Sequence, residues 1–566
     1  MRRHPELVVS LFLDKLRALQ SDAAGRRWVF VPYDQLSDAT GPLARQDPRT
    51  LGIVLVENPW KATRRPYHKQ KLALILTNLR HFALEQAARG VAVRHVVAQG
   101  PYRTALEPLV SEFGPMRMMS PAEHELQTDL TPLVQGGDLE LLPHEGWLTT
   151  AEQFRDGAGS DPPWRMDAFY RHVRRTTGVL MAQGKPVGGK FSFDRENRLS
   201  WKGEPPAPEP PTFPVDPIKA EVGRLVEKRF SNHPGRMDLH AVPGTAADAD
   251  TLWSWARREC LPTFGPYEDA MSVRSRNLFH TRISSLVNIG RLLPRQVVSD
   301  VLDADIPLPS KEGFVRQVLG WREFVRHVHR VTDGFRDLPT GRPPIAKIPG
   351  DGGYNRWKGR PWAARSLWND PDGGAQPSSL GGQTPLPPAF WGEASGLNCV
   401  DCIIDDVWTE GYSHHITRLM VLCNLATLLD VSPRDLTDWF WAAYTDAYDW
   451  VVEPNVLGMG TFAVGDIMTT KPYVSGAGYI SRMSDYCENC DFDPQKNCPF
   501  TRLYWAFFVR HEGHLRDNPR LGIPIRSLQR RAMADRRHDV RVFSTVRDIL
   551  FGGGRLTPDN LRDPAG

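Results

Sequence analysis

Three cysteines within twelve residues, Cys487-x2-Cys490-x7-Cys498, carry the strongest local chemical signal in the chain. A CxxC turn aims two sulfurs at one centre, and a third nearby nearly closes a site. Tetrahedral S4 zinc and a [4Fe–4S] cluster both suit such thiolates; the alternative is a set of inert buried thiols. A fourth ligand must come from afar, and Cys399 and Cys402, just before a helical pattern, are the candidates. A second signal is Tyr412-Ser413-His414-His415-Ile416-Thr417-Arg418-Leu419-Met420. On a continuous helix His414 and Arg418 stack at i, i+4, and His415 and Arg418 at i, i+3. Facing inward, two imidazoles and a guanidinium serve an anionic cofactor or proton transfer; facing outward, they form a solvated cap. Two weaker signals follow. Gly320-Trp321-Arg322-Glu323-Phe324 puts an Arg–Glu pair beside Trp in an apolar helix, which lines a cofactor pocket or forms a core ion pair. Asp446-Ala447-Tyr448-Asp449-Trp450, followed by Glu453-Pro454-Asn455, suits polar recognition of a ring.

The elements that must position these residues fall into two halves. Trp28-Val29-Phe30-Val31 and Gly52-Ile53-Val54-Leu55-Val56 are apolar runs that read as buried strands. Leu72, Ile75, Leu76, Leu79, Phe82 and Ala83 recur at helical spacing within His68 to Arg89, and Val91–Val97 and Leu139–Leu142 read as strands. This alternation implies a parallel α/β domain over 28–150, after an N-terminal extension, 1–27, with one amphipathic helix over Leu7–Leu19. Residues 151–217 form an interdomain linker, Pro-rich over 203–217. Beyond it, over 218–550, the period is helical: Ile218–Phe230, Ala246–Leu261, Lys311–Val331, Val400–Leu429, Pro433–Tyr448 and Thr501–Arg516. A Gly/Pro/Trp-rich stretch, 340–395, interrupts it without regular elements, and 551–566 is a tail.

Composition excludes several classes. At 566 residues, 41% hydrophobic and 24% charged, the chain is globular and holds more than one core. No run of about 18 apolar residues spans a membrane, and the Met1–Leu13 stretch lacks the form of a secretory signal. Seven cysteines in this length are not a disulfide scaffold. The α/β half has neither GxGxxG nor GxxxxGK[ST], which disfavours nicotinamide hydride transfer on that domain and P-loop hydrolysis. Net charge is 70 − 66 = +4. It is uneven: eleven Arg stand against four acids between Arg502 and Arg547, a footprint suited to a polyanion. Seventeen Trp supply packing, stacking or electron transfer.

Taken together these residues resemble the cryptochrome/photolyase flavoproteins, and among them the iron–sulfur bacterial cryptochromes and (6-4) photolyases. The likeness runs over roughly 28–547. It is carried by Phe264-Gly265-Pro266-Tyr267-Glu268-Asp269-Ala270-Met271, Phe279-His280-Thr281-Arg282-Ile283-Ser284, Gly320-Trp321-Arg322-Glu323, the His-His-Ile-Thr-Arg-Leu-Met segment and Pro454-Asn455-Val456-Leu457-Gly458-Met459. Lys471-Pro472-Tyr473 and Tyr479-Ile480-Ser481-Arg482-Met483-Ser484-Asp485-Tyr486-Cys487 complete it. The resemblance implies a Rossmann-like α/β domain plus an all-α FAD-binding domain. It selects [4Fe–4S] over zinc, with Cys399 joining Cys487, Cys490 and Cys498, and leaves out Cys402 and Cys423. It implies FAD held at its phosphates and ribityl chain by Tyr267, His280, Thr281, Ile283 and Ser284. Trp321, Glu323, Arg418, Asp446, Tyr448 and Asn455 would surround its rings, with Arg418–Asp446 at the flavin N5 edge. It implies a 6,7-dimethyl-8-ribityllumazine antenna at Asp34, Gln35 and Glu57, although Tyr33 and Tyr67 stand where the family has Gly and His. Trp391 and Trp439 match its electron-transfer path, and Phe440 replaces a Tyr.

The expected function is light-driven repair of a (6-4) photoproduct in UV-damaged DNA, with His414 and His415 on the lesion side. The expected protein is cytoplasmic and monomeric. The alternatives are a blue-light receptor of the same fold and a nucleic-acid-binding iron–sulfur protein without photochemistry.

Overall fold

The computed structural model describes residues 10–338, 345–346, 350, 352–354 and 373–562. The first nine residues of the extension, most of the first part of the 340–395 stretch and the last four residues of the tail lie outside them. The chain divides into two compact units. The first comprises Met1–Trp147, Pro210–Ser254 and Ile283–Arg295; the second comprises Leu148–Glu209, Trp255–Arg282 and Gln296–Gly566.

The first unit is built on five parallel strands: β1 (Arg27–Phe30), β2 (Leu51–Glu57), β3 (Ala92–Val97), β4 (Met116–Met119) and β5 (Leu139–Leu142), in the order β3-β2-β1-β4-β5. Every residue of β2 is buried, as a central parallel strand requires. Gly52 faces Trp28 in register, and a Cβ there would lie 2.6 Å from the indole, so the close approach of β1 and β2 demands glycine. Helices α1 (Leu11–Leu19), α2 (Lys69–Ala88), α3 (Tyr102–Phe113), α4 (His124–Gln135) and α5 (Pro217–Arg229) accompany the sheet. The backbone N–H of Gln70 donates to Nδ1 of His68, which starts α2. The extension is docked: Phe12 and Leu16 of α1 are buried, and Ser10 donates to Glu221 on α5 at 2.7 Å. Asp216 caps α5 by accepting from the N–H groups of Ile218 and Lys219.

This strand order reverses between β1 and β4. In such sheets ligands bind beyond the carboxyl ends of the strands at the reversal. The residues that leave β1 there are Val31-Pro32-Tyr33-Asp34-Gln35.

The second unit is helical, apart from two-residue ladders. Residues 151–158 and 166–177, within the stretch assigned to a linker, are both α-helices of this unit. A helical run from Leu308 continues through a π-helical turn at Arg316–Arg322 into α6 (Glu323–Val331). Then come α7 (Asn398–Glu410), α8 (Pro433–Ala443), α9 (Pro499–Leu515), α10 (Gly522–Arg530) and α11 (Met533–Phe551). The helix expected over Val400–Leu429 is two helices. Gly411 adopts φ +65 and ends α7, and helix resumes only at His415. The helix expected to reach Tyr448 stops at Ala443, which leaves Asp446 and Tyr448 in a connecting turn. In the 340–395 stretch, Ile345–Ala346 pairs antiparallel with Gly374–Ala375, a small regular element in a region expected to have none.

Candidate flavin, thiol and antenna sites

The break before His415 decides where the histidines go. His414 is extended (φ −77, ψ 167) and caps a short helical turn, His415–Thr417, so it does not share a helix face with Arg418 as the sequence spacing predicts. Its ring stacks on His280, with centroids 4.4 Å apart and planes 7° from parallel. His415 meets His280 edge-on at 5.4 Å. His280 Nε2 and His414 Nδ1 are buried without a hydrogen-bond partner. Burial, followed by the charge of neighbouring imidazoles and of Arg418, holds both pKa values well below the ordinary histidine value. Both are held in the neutral form, each able to accept at one ring nitrogen and donate at the other. His415 is different: its side chain is 42% exposed, and Nε2 lies 4.0 Å from Asp269. Burial lowers its pKa and Glu268 pushes it back up. Burial, then Glu268, raises Asp269 to about 7.

Arg418 begins a π-helical turn, Arg418–Cys423, a distortion frequent at functional sites. Its guanidinium makes two 3.0 Å hydrogen bonds to the carboxylate of Asp446, and its Nε donates to the Ser413 carbonyl at 2.7 Å. It also lies 4.0 Å above the Tyr444 ring, whose hydroxyl pairs with Ser413 Oγ at 2.9 Å. Tyr444 stacks on Phe440 at 5.2 Å and meets Trp439 edge-on at 5.9 Å. A continuous aromatic path therefore runs from Arg418 through Tyr444 to Trp439. The unpartnered imidazole nitrogens and the fixed Arg–Asp pair suit a flavin's polar edge, which needs both donors and acceptors.

Other expected flavin contacts also make interactions within the protein. Glu323 Oε2 accepts from Leu148 N, Thr149 N and Thr149 Oγ1, and Oε1 from Arg322, a latch on the chain entering this unit. Tyr267 donates to the Glu204 carbonyl at 3.1 Å and stacks on Phe279 at 5.1 Å. Trp321 packs edge-on against Phe324. Asn455 donates back to the Val451 carbonyl at 2.8 Å. Tyr448 and Thr281 are buried in this unit, whereas Ile283 and Ser284 group with the first.

The thiols separate into two classes by their neighbours. Burial raises Cys399 well above the ordinary thiol value, and the charges next in weight are those of Cys498, Cys487 and Cys490. Cys402, raised to about 11 by burial, feels the carboxylates of Asp406, Asp401 and Asp405 instead. Cys423 feels Arg418. A single zinc with bonds of about 2.3 Å holds its sulfurs about 3.8 Å apart. Among the described residues, His280, His414 and His415 are donors gathered within 4.8 Å of one another.

In the first unit, Asp34 and Tyr67 are buried at the strand reversal, and neither Asp34 oxygen nor the Tyr67 hydroxyl has a hydrogen-bond partner. Burial, then Glu123, raises Asp34 to about 7. Tyr33 donates to Glu123, and Lys61 bonds both, at 2.9 Å to Tyr33 and 2.5 Å to Glu123. Gln35 donates to the Met119 and Ser120 carbonyls. Glu57 faces another way: although burial opposes its charge, His95 and Arg80 hold it near 2 in an ion cluster. Asp34 and Tyr67 thus fit a buried polar ring, and Glu57 fits a structural role.

The sequence reading missed Asp269, Trp408 and Tyr444. Asp269 meets His415, and Trp408 meets Trp391 and Trp439, from far away in the chain; Tyr444 follows Phe440 at helical spacing but reaches Ser413 and Arg418 only in the fold.

Comparison with known proteins places the chain in a family. The family description "Deoxyribodipyrimidine photo-lyase-related protein" matches residues 29–241. The solved cryptochrome of Synechocystis sp. superposes with a TM-score of 0.52 at 12% identity, covering 94% of this chain and all of that one, a likeness of fold. No helix among the described residues is long and apolar enough to cross a membrane. A (6-4) photolyase of Agrobacterium fabrum is 31% identical over 531 residues, 91% of this chain and 97% of its own length, and likeness that complete means that the chain belongs to the photolyase/cryptochrome family of flavoproteins.

Proposed function

We propose that this protein is a light-driven (6-4) photolyase acting on UV-damaged DNA as a monomer, with FAD in the helical unit. The observation that carries the reading is the neutral His280–His414 stack beside a more exposed His415 and the Arg418–Asp446 pair. When bound, a photoexcited reduced flavin lends one electron to the lesion and takes it back, with no net redox change. The chain supplies the rest. Arg418, fixed by Asp446, presents donors to the flavin edge. His280 and His414 stay neutral and orient hydrogen bonds. His415, in its acid form, gives a proton to the lesion from Nε2, with Asp269 beside it as a second proton-bearing group. The lesion must leave the duplex to reach them, and Lys471, Arg482 and the arginines of α9–α11 contact phosphates.

Trp391 and Trp439 belong to the path that brings the flavin to its reduced state. Cys399, Cys487, Cys490 and Cys498 hold a structural [4Fe–4S] cluster; the influence of Cys498, Cys487 and Cys490 on Cys399 supports it. Asp34, Tyr67 and Gln35 receive a lumazine-type antenna. The test is repair of a (6-4)-containing oligonucleotide by photoreduced protein under blue light, against a dark control. Flavin that cycles in light while the lesion persists would replace repair with a signalling role.

A further inference from the structure

His280, His414 and His415 each offer a ring nitrogen, and the three nitrogens lie within 4.8 Å of one another. They come from separate places in the helical unit. His280 stands on the loop 275–283, which Arg282 turns at φ +57 and ties down through Asn277 at 2.7 Å and Glu410 at 2.6 Å. His414 and His415 enter the helical turn that follows Gly411. His280 and His414 are 6% and 4% exposed, and neither His280 Nε2 nor His414 Nδ1 reaches a hydrogen-bond partner in the protein. Their lowered pKa values keep both imidazoles neutral, the form that binds metals. His415 forms the open side: its side chain is 42% exposed, and its Nε2 lies 4.0 Å from Asp269 Oδ1. That carboxylate favours a dication, and the opposing charge of Arg418 is countered by Asp446 at 3.0 Å. A tetrahedral zinc with nitrogen bonds of about 2.0–2.1 Å sets its donors about 3.3 Å apart. Nitrogens spread over no more than 4.8 Å close on such an ion by shifts of roughly an ångström. Neutral nitrogen donors select zinc-class ions over magnesium or calcium, which take oxygen.

We propose that these three imidazoles form a binding site for a zinc-class divalent transition metal, and that an ion held there takes His415 out of the repair reaction. A ring that gives one nitrogen to a metal cannot take the acid form, in which both nitrogens carry protons. His415 therefore releases its acid proton as the ion binds, and repair stops until a chelator removes the metal. The site stands on the geometry of the three rings; its inhibitory effect rests on the repair reading above.

The test uses the full chain with its cofactors in place, incubated with one equivalent of zinc chloride and then desalted. Metal content is read by elemental analysis, and the zinc environment by X-ray absorption at the zinc edge. One zinc per chain should remain, with iron unchanged and a shell of nitrogen or oxygen at about 2.0–2.1 Å; sulfur at about 2.3 Å would place the ion at the thiols instead. That readout needs no variant to fold. His280→Ala and His415→Ala, each checked for an unchanged zinc-free melting curve, should bind zinc at least about tenfold more weakly. Magnesium should not compete. Zinc should suppress light-driven repair of the (6-4) oligonucleotide, and EDTA should restore it. No retained zinc, a sulfur shell, or undiminished affinity in both variants would overturn the site. Zinc in a nitrogen shell with undiminished repair would overturn the inhibition alone. A zinc-free protein that repairs nothing under blue light would overturn the repair reading, and the inhibition with it, while the zinc-edge result would still decide the site.

Discussion

His280 and His414 lie ring on ring, 4.4 Å apart and 7° from parallel. Burial first, and then the charge of neighbouring imidazoles and Arg418, disfavours a proton on either ring, which is why both stay neutral. In the proposed repair reaction the proton donor is His415, whose side chain is 42% exposed. His415→Ala should lose about 10²–10⁴-fold in repair, the usual cost of a general acid, and keep flavin and DNA binding. His414→Ala should lose flavin retention first. Wild-type repair by His415→Ala would end this assignment.

The same electrostatics set a pH dependence. The His415 pKa lies below its ordinary value in the DNA-free protein, so its acid form grows as pH falls. Repair under limiting light should rise from pH 8 toward pH 6, and the rise should vanish in His415→Ala. A flat profile in the unaltered chain would point to a donor that does not titrate there.

Arg418 and Asp446 are held by paired 3.0 Å bonds and are largely buried. Removing one partner of such a pair leaves the other charge stranded, at a cost of up to about 3–5 kcal/mol. Asp446→Ala should lower the melting temperature and the flavin bound per chain, whereas Asp446→Asn, which keeps one acceptor, should be milder. Equal flavin content in all three proteins would remove Asp446 from the flavin site.

Much of this arrangement can be read from residue order, and the reasons for the remainder are specific. β2 and α2 declare themselves because long runs of one period leave few choices. β4 does not: Met116-Arg117-Met118-Met119 is four residues without β-branched character, buried only because its neighbours surround it. The helical period from Val400 to Leu429 runs straight through Gly411, so the turn that extends His414 and stacks it on His280 appears only in the fold. Beside Trp321 and Arg322, Glu323 reads as a cofactor contact or a core ion pair; its hydrogen bonds to Thr149, far back in the chain, appear only in the fold. Tyr444 lies one helical turn after Phe440 and stacks on it, but its pairing with Ser413 and Arg418 from far back in the chain appears only in the fold.

The thiol assignment makes a prediction of composition. Anaerobically purified protein should carry about four irons per chain. Cys399→Ser, Cys487→Ser, Cys490→Ser and Cys498→Ser should each lose iron or soluble protein, while Cys402→Ser and Cys423→Ser retain both, since carboxylates and Arg418 are their neighbours. Stoichiometric zinc in place of iron would show that the thiols close on one ion after all.

Asp34 offers a test of the antenna site that needs no light. Its folded pKa is raised to about 7, first by burial and then by Glu123, against about 3.9 in an unfolded chain. Its carboxyl therefore favours folding below the unfolded pKa, and that contribution is lost as pH rises through the folded one. Three pKa units correspond to at most about 4 kcal/mol. Antenna-free protein should thus lose thermal stability between pH 5 and pH 8, and Asp34→Asn should lose less over the same range. A bound ring that donates N–H groups to Asp34 would favour the carboxylate and flatten the wild-type curve, so saturating 6,7-dimethyl-8-ribityllumazine should stabilise the protein most at pH 8. Parallel melting curves for wild type and Asp34→Asn, with and without lumazine, would mean that Asp34 neither titrates in this range nor faces a ligand.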